Sequence, residues 1–331
     1  MARIDVAIPC YNAGRYLAQC IRSVLSQDID DLRIIVIDNA STDDSVEVAR
    51  RFAAEDSRIE IVRHARNLGP VASFNEGIDL ARGDYFIILC ADDLLADGSL
   101  RRAIDVLESN PTAVFAIGPE LSMIDGEDFV EPSQPDRWRI REGAGFIADC
   151  CRHLGLSLAL GAVVVRTAAQ KAVGHYRASL PHADDLEIAL RLARLGCVVE
   201  FEGALGIRRL HPEQMTVVYF SDKLIQLKER EAVFNSFFAR EGAAMREANR
   251  LHRIAMHRIG DAAYWSAISH LFRGKTAYGV ELFRYCFSLT PLSRLFPPMG
   301  HFYRKKGTIK RALSVISARV GSVANHAEDR A

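Results

Sequence analysis

The sequence predicts an α/β fold, a mostly parallel sheet sandwiched by helices, followed by a helical C-terminal extension. Three observations carry this. From Ile4 to Ile117 short β-branched runs alternate with amphipathic stretches, and strands alternating with helices need crossovers, which make the strands parallel. Polar residues unusual for a core stand at the ends of three of those runs. Beyond Ser221 no strand pattern remains.

Strands are expected at Ile4–Ile8, Arg33–Ile37, Ile59–Val62, Tyr85–Leu89 and Ala113–Ile117. After the first, Tyr16, Cys20, Ile21, Val24 and Leu25 recur at three- and four-residue steps, the period of a helix with one buried face. Asp43 or Asp44 is placed to cap the next helix, and Asp97 the one that ends near Ser109. From Pro119 to Gly145 the pattern gives way to a polar stretch that includes EPSQPDRWRIREGAG. Irregular segments of this length usually cover a site or are disordered. A strand-like run returns at Gly161–Val165, and a helix is expected over Asp184–Leu195. Further helices are expected over Lys223–Arg240, Ala243–Arg273 and Ala277–Ser288, then a Pro-rich joint and a last basic helix. The expected division is an α/β domain over 1–220 and a helical extension over 221–331.

Composition narrows the function classes. The 331 residues are 49% apolar and 25% charged, which suits a chain with a sizeable core. Lys+Arg and Asp+Glu number 42 each, so global charge suggests no polyanionic partner, and nucleic acid is not expected. The distribution is uneven: between Leu271 and Val320 ten basic residues face one carboxylate, Glu281. Seven scattered cysteines without a CxxC pair fit reduced thiols in a cytoplasmic protein. Arg3 and Asp5 interrupt the first apolar run, so no signal peptide is expected there. The charge-free stretch Leu154–Val165 is far short of the ~20 residues that span a bilayer.

The chemistry gathers at strand ends. The first strand runs into Pro9-Cys10-Tyr11-Asn12, the second into Asp38-Asn39-Ala40-Ser41-Thr42-Asp43, the fourth into Cys90-Ala91-Asp92-Asp93. In open α/β sheets ligands bind in the crevice beyond such ends. Three ends offering carboxylates and one aromatic describe a pocket for a base, a ribose and a metal-bound diphosphate. Adjacent carboxylates would repel a polyanionic nucleotide unless a divalent cation sat between them, and Mg2+ or Mn2+ takes oxygen ligands of this kind. A plain turn also uses Asp-Asp, so the pair needs context.

The context is an ordered set of motifs: VAIPCYNAGRYLAQCIRSVLSQ, IIVIDNASTDDS and ARNLGPVASFNEGIDLARGDYFIILCADD, then VVVRTAAQKAVGHY, ADDLEIALRLARLG and RRLHPEQMT. Over roughly residues 3 to 216 this closely resembles the family-2 glycosyltransferases with the GT-A fold. The resemblance implies a metal-dependent, inverting transfer of a sugar from a nucleotide diphosphate to an acceptor hydroxyl. Pro9, Tyr11 and Asn12 would line the nucleotide pocket, with the Tyr11 ring against the base. Asp38 would accept from base or ribose; many members have an acid where this chain has Asn39. Asp92 would meet ribose or metal, and Asp93 would be the principal metal ligand, although members often place a further Asp where this chain has Cys90. Asp184-Asp185 resembles the acidic pair that opens the catalytic helix, with Asp185 in the place of the general base. The same two residues also suit a helix cap. His211 would ligate the metal or touch the diphosphate, with Arg209 neutralising phosphate charge.

Asn67 and Gly69 precede a helix start that suits either a donor contact or a plain entry. Trp138 suits either a sugar platform or a local anchor. Gly274-Lys275-Thr276 imitates a P-loop ending, but Ser269 stands where its first glycine belongs and a helix precedes it. The basic, aromatic-rich tail, with Phe302 and Tyr303, leaves two roles open. One is contact with an anionic membrane on the inner face, where lipid-linked glycans are built; the other is packing on the α/β domain. Three classes follow: the glycosyltransferase, expected in bacterial cell-surface polysaccharide or glycolipid synthesis with a glycan or lipid-linked acceptor; a sugar nucleotidyltransferase, whose N-terminal Gly-rich loop is missing; and a non-catalytic nucleotide-sugar or glycan-binding module.

Overall fold

The computed structural model describes residues 3–154, 160–180, 184–214, 222–291 and 297–298. Its strands are β1 (Ile4–Cys10), β2 (Leu32–Asp38), β3 (Ile59–Arg63), β4 (Tyr85–Ile88), β5 (Leu94–Leu95) and β6 (Ala113–Ile117). Then come β7 (Glu120–Ile124), β8 (Trp138–Arg141), β9 (Val163–Arg166), β10 (Cys197–Phe201) and β11 (Gly206–Leu210). Eight of them form one sheet in the order β3-β2-β1-β4-β9-β6-β10-β8, and β5-β11-β7 form a small second sheet. β1, β2, β3 and β4 pair in parallel, while β9 runs antiparallel to both its neighbours.

The first strands are apolar nearly throughout because both their faces are covered. Ile4, Val6, Ile8, Ile34 and Val36 point into one cluster, Ala7, Ile35 and Ile37 into another on the opposite face. Helices α1 (Gly14–Leu25), α2 (Ser45–Glu55) and α4 (Ser99–Ser109) close the first with Leu17, Ile21, Phe52 and Leu107. Helix α3 (Pro70–Leu80) closes the second with Phe74 and Ile78. The chain leaves β1 towards β2 on one side and β4 on the other, which opens a crevice at their carboxyl ends. Register puts Cys10 beside Asp38, and Ala7 beside Ile88 two residues before Cys90.

The remaining helices are α5 (Gly143–Arg152), α6 (Thr167–Val173), α7 (Asp184–Ala193), α8 (Lys223–Ala239), α9 (Ala248–Phe272) and α10 (Thr276–Leu289). A single apolar cluster joins α5 and α7 to the C-terminal three through Phe146, Leu190, Phe234, Phe237, Leu251, Ile259 and Leu282. Asp222 caps α8, accepting from the Leu224 and Ile225 amides at 2.8 and 3.0 Å, and also takes the Tyr278 hydroxyl of α10 at 2.7 Å. Behind α7 lies a buried ion cluster: Glu187 receives Arg191 at 2.8 Å and also pairs with Arg177, which reaches on to Glu241 after α8.

Several expectations change. The polar stretch after Pro119 contains β7 and β8. β8 hides from a hydrophobicity pattern because Arg139 and Arg141 alternate with Trp138 and Ile140, and both arginines pair with Glu200. β11 hides likewise: Arg208 pairs with Glu120 at 2.7 Å and Arg209 with Asp125 at 3.3 Å. Asp97 does not cap α4; Gly98, at φ 62°, holds that position, as suits a residue without a β-carbon. Among the described residues no helix is long and apolar enough to cross a membrane. Most of the basic tail, with Phe302 and Tyr303, lies outside them.

Candidate active site

The site is built on the turn that ends β4. The Asp93 amide donates to the Cys90 carbonyl at 3.0 Å, closing the turn, and the Cys20 thiol donates to the same carbonyl at 3.6 Å. Tight closure brings side chains together: the Cys90 sulfur and one oxygen each from Asp92 and Asp93 lie within 4.8 Å of one another. Burial, with the neighbouring Asp92 charge adding to it, pushes the Asp93 carboxyl up to about 8. Near neutral pH Asp93 therefore holds a proton that a cation would displace.

The small sheet brings the second half of the site. β11 pairs with β5 immediately after Asp93, so the Arg209 amide donates to Asp93 Oδ1 at 3.0 Å, and His211 Nε2 lies 3.1 Å from Asp92 Oδ2. His211 is buried, and among the described residues its Nδ1 has no partner. Arg209, expected at a phosphate, is spent elsewhere. It donates to the Asp92 carbonyl at 3.0 Å and to Asp125 at 3.3 Å. It also sits 4.9 Å over the Tyr16 ring, against which the His211 ring packs at 4.8 Å. The Tyr16 hydroxyl completes the brace by donating to Asp125 at 3.3 Å.

At the β1 and β2 ends, Tyr11 is 50% exposed and Pro9 is partly buried. Asn12 takes a left-handed φ of 51°, which asparagine tolerates better than most residues. From there its amide donates to Ser41 Oγ at 3.0 Å and its side chain accepts from the Thr42 amide at 2.8 Å, tying the two strand ends. Asp38 is buried, accepting from the Ser41 amide at 3.2 Å and from Arg63 at 3.4 Å, with acceptor capacity left over. Asn39 is hydrogen-bonded to the neighbouring loop: its side-chain carbonyl takes the Leu68 amide and His64 Nδ1, both at 2.8 Å, and its side-chain amide donates to Asn67 at 3.0 Å. Asn67 in turn accepts the Gly69 amide at 2.8 Å, so Asn39 and Asn67 together pin the loop that enters α3.

Three thiols report how near these carboxylates lie. Cys10 is pushed up to about 11, by burial first, with Asp38 and Asp43 adding to it. Cys20 is raised by burial and then by Asp93 and Asp92. Cys90 is raised by burial, Asp92, Asp93 and then Asp185. The carboxylates of Asp92, Asp93 and Asp185 thus act on one sulfur, and Asp38 acts on a neighbouring one. The Asp184 side chain lies outside the described residues.

The donor set fits a divalent cation: two adjacent carboxylates, one holding a proton that a cation would replace, and a histidine side chain that is buried with one nitrogen unpartnered among the described residues. The pH dependence follows. Folded Asp93 keeps its proton up to about 8, whereas an unfolded Asp loses it near ~4. The native state therefore binds the extra proton across that window, and stability of the cation-free protein falls as pH rises through it. Added Mn2+ should raise the melting temperature more at about pH 9 than at about pH 5. A rise independent of pH would show that Asp93 is not the group whose proton is displaced.

Comparison with known proteins accords with this geometry. Residues 5–155 match the model of glycosyl transferase family 2. That segment belongs to glycosyltransferase family 2. Among curated relatives of this glycosyltransferase domain, an uncharacterized glycosyltransferase of Haemophilus influenzae is 29% identical over 224 residues, 65% of this chain and 68% of that protein. GlyG of Streptococcus pneumoniae is 33% identical over 97 residues, 29% of this chain and 32% of that protein. The chain spans about two thirds of the first relative and less than half of others. In fold it is similar to S. aureus TarS in complex with UDP-GlcNAc, with a TM-score of 0.56 at 13% identity over 88% of this chain and 91% of that one. It is also similar to the mannosyltransferase PcManGT from Pyrobaculum calidifontis in complex with GDP-Man and Mn2+, TM-score 0.55 at 16% identity over 89% and 87% of the two chains. At such identities the likeness concerns the fold.

Sequence reasoning missed the brace of Tyr16 and Asp125, because Tyr16 satisfies the helical core period and hides its hydroxyl role. It also missed the Asn39–His64–Asn67 tie, whose partners are distant in sequence and carry no motif.

Proposed function

We propose that this chain is an inverting, divalent-cation-dependent glycosyltransferase that moves a sugar from a nucleotide diphosphate to an acceptor hydroxyl. The observation that carries the reading is the Cys90–Asp93 turn, which gathers two carboxylates within electrostatic reach of Asp185. The nucleotide lies along the strand ends, its base on the Tyr11 ring and its ribose near Asp38. Asp92 and Asp93, with His211 beside them, would hold Mn2+ or Mg2+, which supplies charge neutralisation for the departing diphosphate. Arg209 and Tyr16 keep His211 on Asp92. Asp185, at the start of α7, takes the proton of the acceptor hydroxyl as the new bond forms, on the face opposite the leaving group. The developing charge resembles an oxocarbenium ion. The acceptor is a glycan or lipid-linked glycan of a bacterial surface polymer.

The bound UDP-GlcNAc of TarS and the GDP-Man with Mn2+ of PcManGT support a nucleotide-sugar donor. A panel of UDP-, GDP- and dTDP-sugars with and without Mn2+, read by thermal shift and by nucleoside diphosphate release, tests the reading. One donor should stabilise the fold only with the cation and release its diphosphate. Pyrophosphate release would mark a nucleotidyltransferase, and binding without release under any acceptor mixture a non-catalytic module.

A further inference from the structure

We infer that the cation site is a mixed sulfur–oxygen site: Cys90 joins Asp92 and Asp93 as a ligand, so the site favours thiophilic cations such as Zn2+ and Co2+ over Mg2+. This rests on the reading that a cation occupies the Cys90–Asp93 turn. The geometry is the first ground. With metal–sulfur bonds of about 2.3 Å and metal–oxygen bonds of about 2.1 Å, ligand atoms on one tetrahedral cation stand about 3.5 Å apart. The three atoms in this turn already lie within 4.8 Å of one another, so side-chain movements of about 1 Å bring them onto one cation.

The second ground is that the backbone carrying the sulfur is held in place. The Cys90 carbonyl takes both the Asp93 amide at 3.0 Å and the Cys20 thiol at 3.6 Å, which fixes the residue between β4 and the two carboxylates. The third is His211, buried with Nε2 on Asp92 Oδ2 at 3.1 Å and Nδ1 lacking a partner among the described residues. A buried imidazole bonded to a carboxylate ligand is the outer-shell arrangement that orients metal ligands. A buried nitrogen left unsatisfied among the described residues calls for a further partner at this site.

Ligand softness then decides the preference. Oxygen-only sites suit Mg2+, whereas a thiolate moves selectivity towards zinc and its neighbours. Loading is a ligand exchange without redox change: the thiol proton leaves to solvent and the sulfur lone pair forms the bond to the cation.

Cobalt reports the bond directly. Full-length protein titrated with Co2+ should show the near-ultraviolet thiolate-to-cobalt charge-transfer band. That band should be lost in Cys90→Ser and in Cys90→Asp and kept in Cys20→Ser, and Zn2+ should abolish it in the wild type. Zn2+ should displace bound Mn2+ far more readily from the wild type than from Cys90→Asp, where the site becomes oxygen-rich. Bound Co2+ with no such band, or a band that survives in Cys90→Ser, overturns the inference and leaves the proposed transfer intact. No binding of Co2+, Mn2+ or Mg2+ at all, with or without UDP and GDP, overturns both.

Discussion

Asp185→Asn leaves donor binding unchanged and lowers sugar transfer by about 10²–10⁴-fold, the range that a positioned general base supplies. The substitution separates two roles that the start of α7 combines. Asparagine caps a helix about as well as aspartate, so a stability loss is not expected from a cap. What disappears is the carboxylate proposed to receive the acceptor proton. Asp185 also stands within electrostatic range of the Cys90 thiol, which places it at the cation end of the cleft. The measurement is a pair: thermal stabilisation by donor with Mn2+, which stays, and product formation, which falls. A variant that transfers at the wild-type rate removes Asp185 from the chemistry.

Asp93→Asn acts on the opposite step. The amide preserves the acceptor for the Arg209 N–H that Asp93 now provides at 3.0 Å, so the link between the β4 turn and β11 survives. It cannot carry the negative charge that a cation requires. Cation-dependent donor stabilisation, worth about 2.7 kcal/mol for a ligand at a hundred times its dissociation constant, should vanish. The cation-free variant should be more stable than the wild type above about pH 8, where the native carboxylate is ionised against burial and against Asp92. Lost binding together with gained stability is the signature of a site built for a ligand. Lost binding together with lost stability would instead make Asp93 a structural residue.

Much of the fold was legible because its early strands are covered on both faces and therefore mostly apolar. Ile4–Ile8, Arg33–Ile37 and Tyr85–Leu89 mark strands by composition alone, and their polar ends mark the crevice. The later strands were not legible for an equally physical reason. In β8 and β11 arginines occupy strand positions and are neutralised by Glu200, Glu120 and Asp125, partners that lie far away in sequence. The carboxylates were legible by motif; their setting was not. Nothing local announces that Arg209 is consumed by Asp125 and Tyr16, or that Asn39 spends its side chain on Asn67, Leu68 and His64.

The ion cluster behind α7 reaches further than its size suggests. Glu187 lies two residues after Asp185, fully enclosed, and its counter-charges come from α7 itself and from Arg177, whose other partner is Glu241. Depriving a buried carboxylate of its cation costs on the order of 3–5 kcal/mol. Through Glu241 on Arg177, the carboxyl-terminal region therefore serves as a keel for the helix that carries Asp185, the proposed base. Any exchange of that region must carry Glu241 or its equivalent along with it, or Arg177 has one carboxylate fewer to fix it against Glu187.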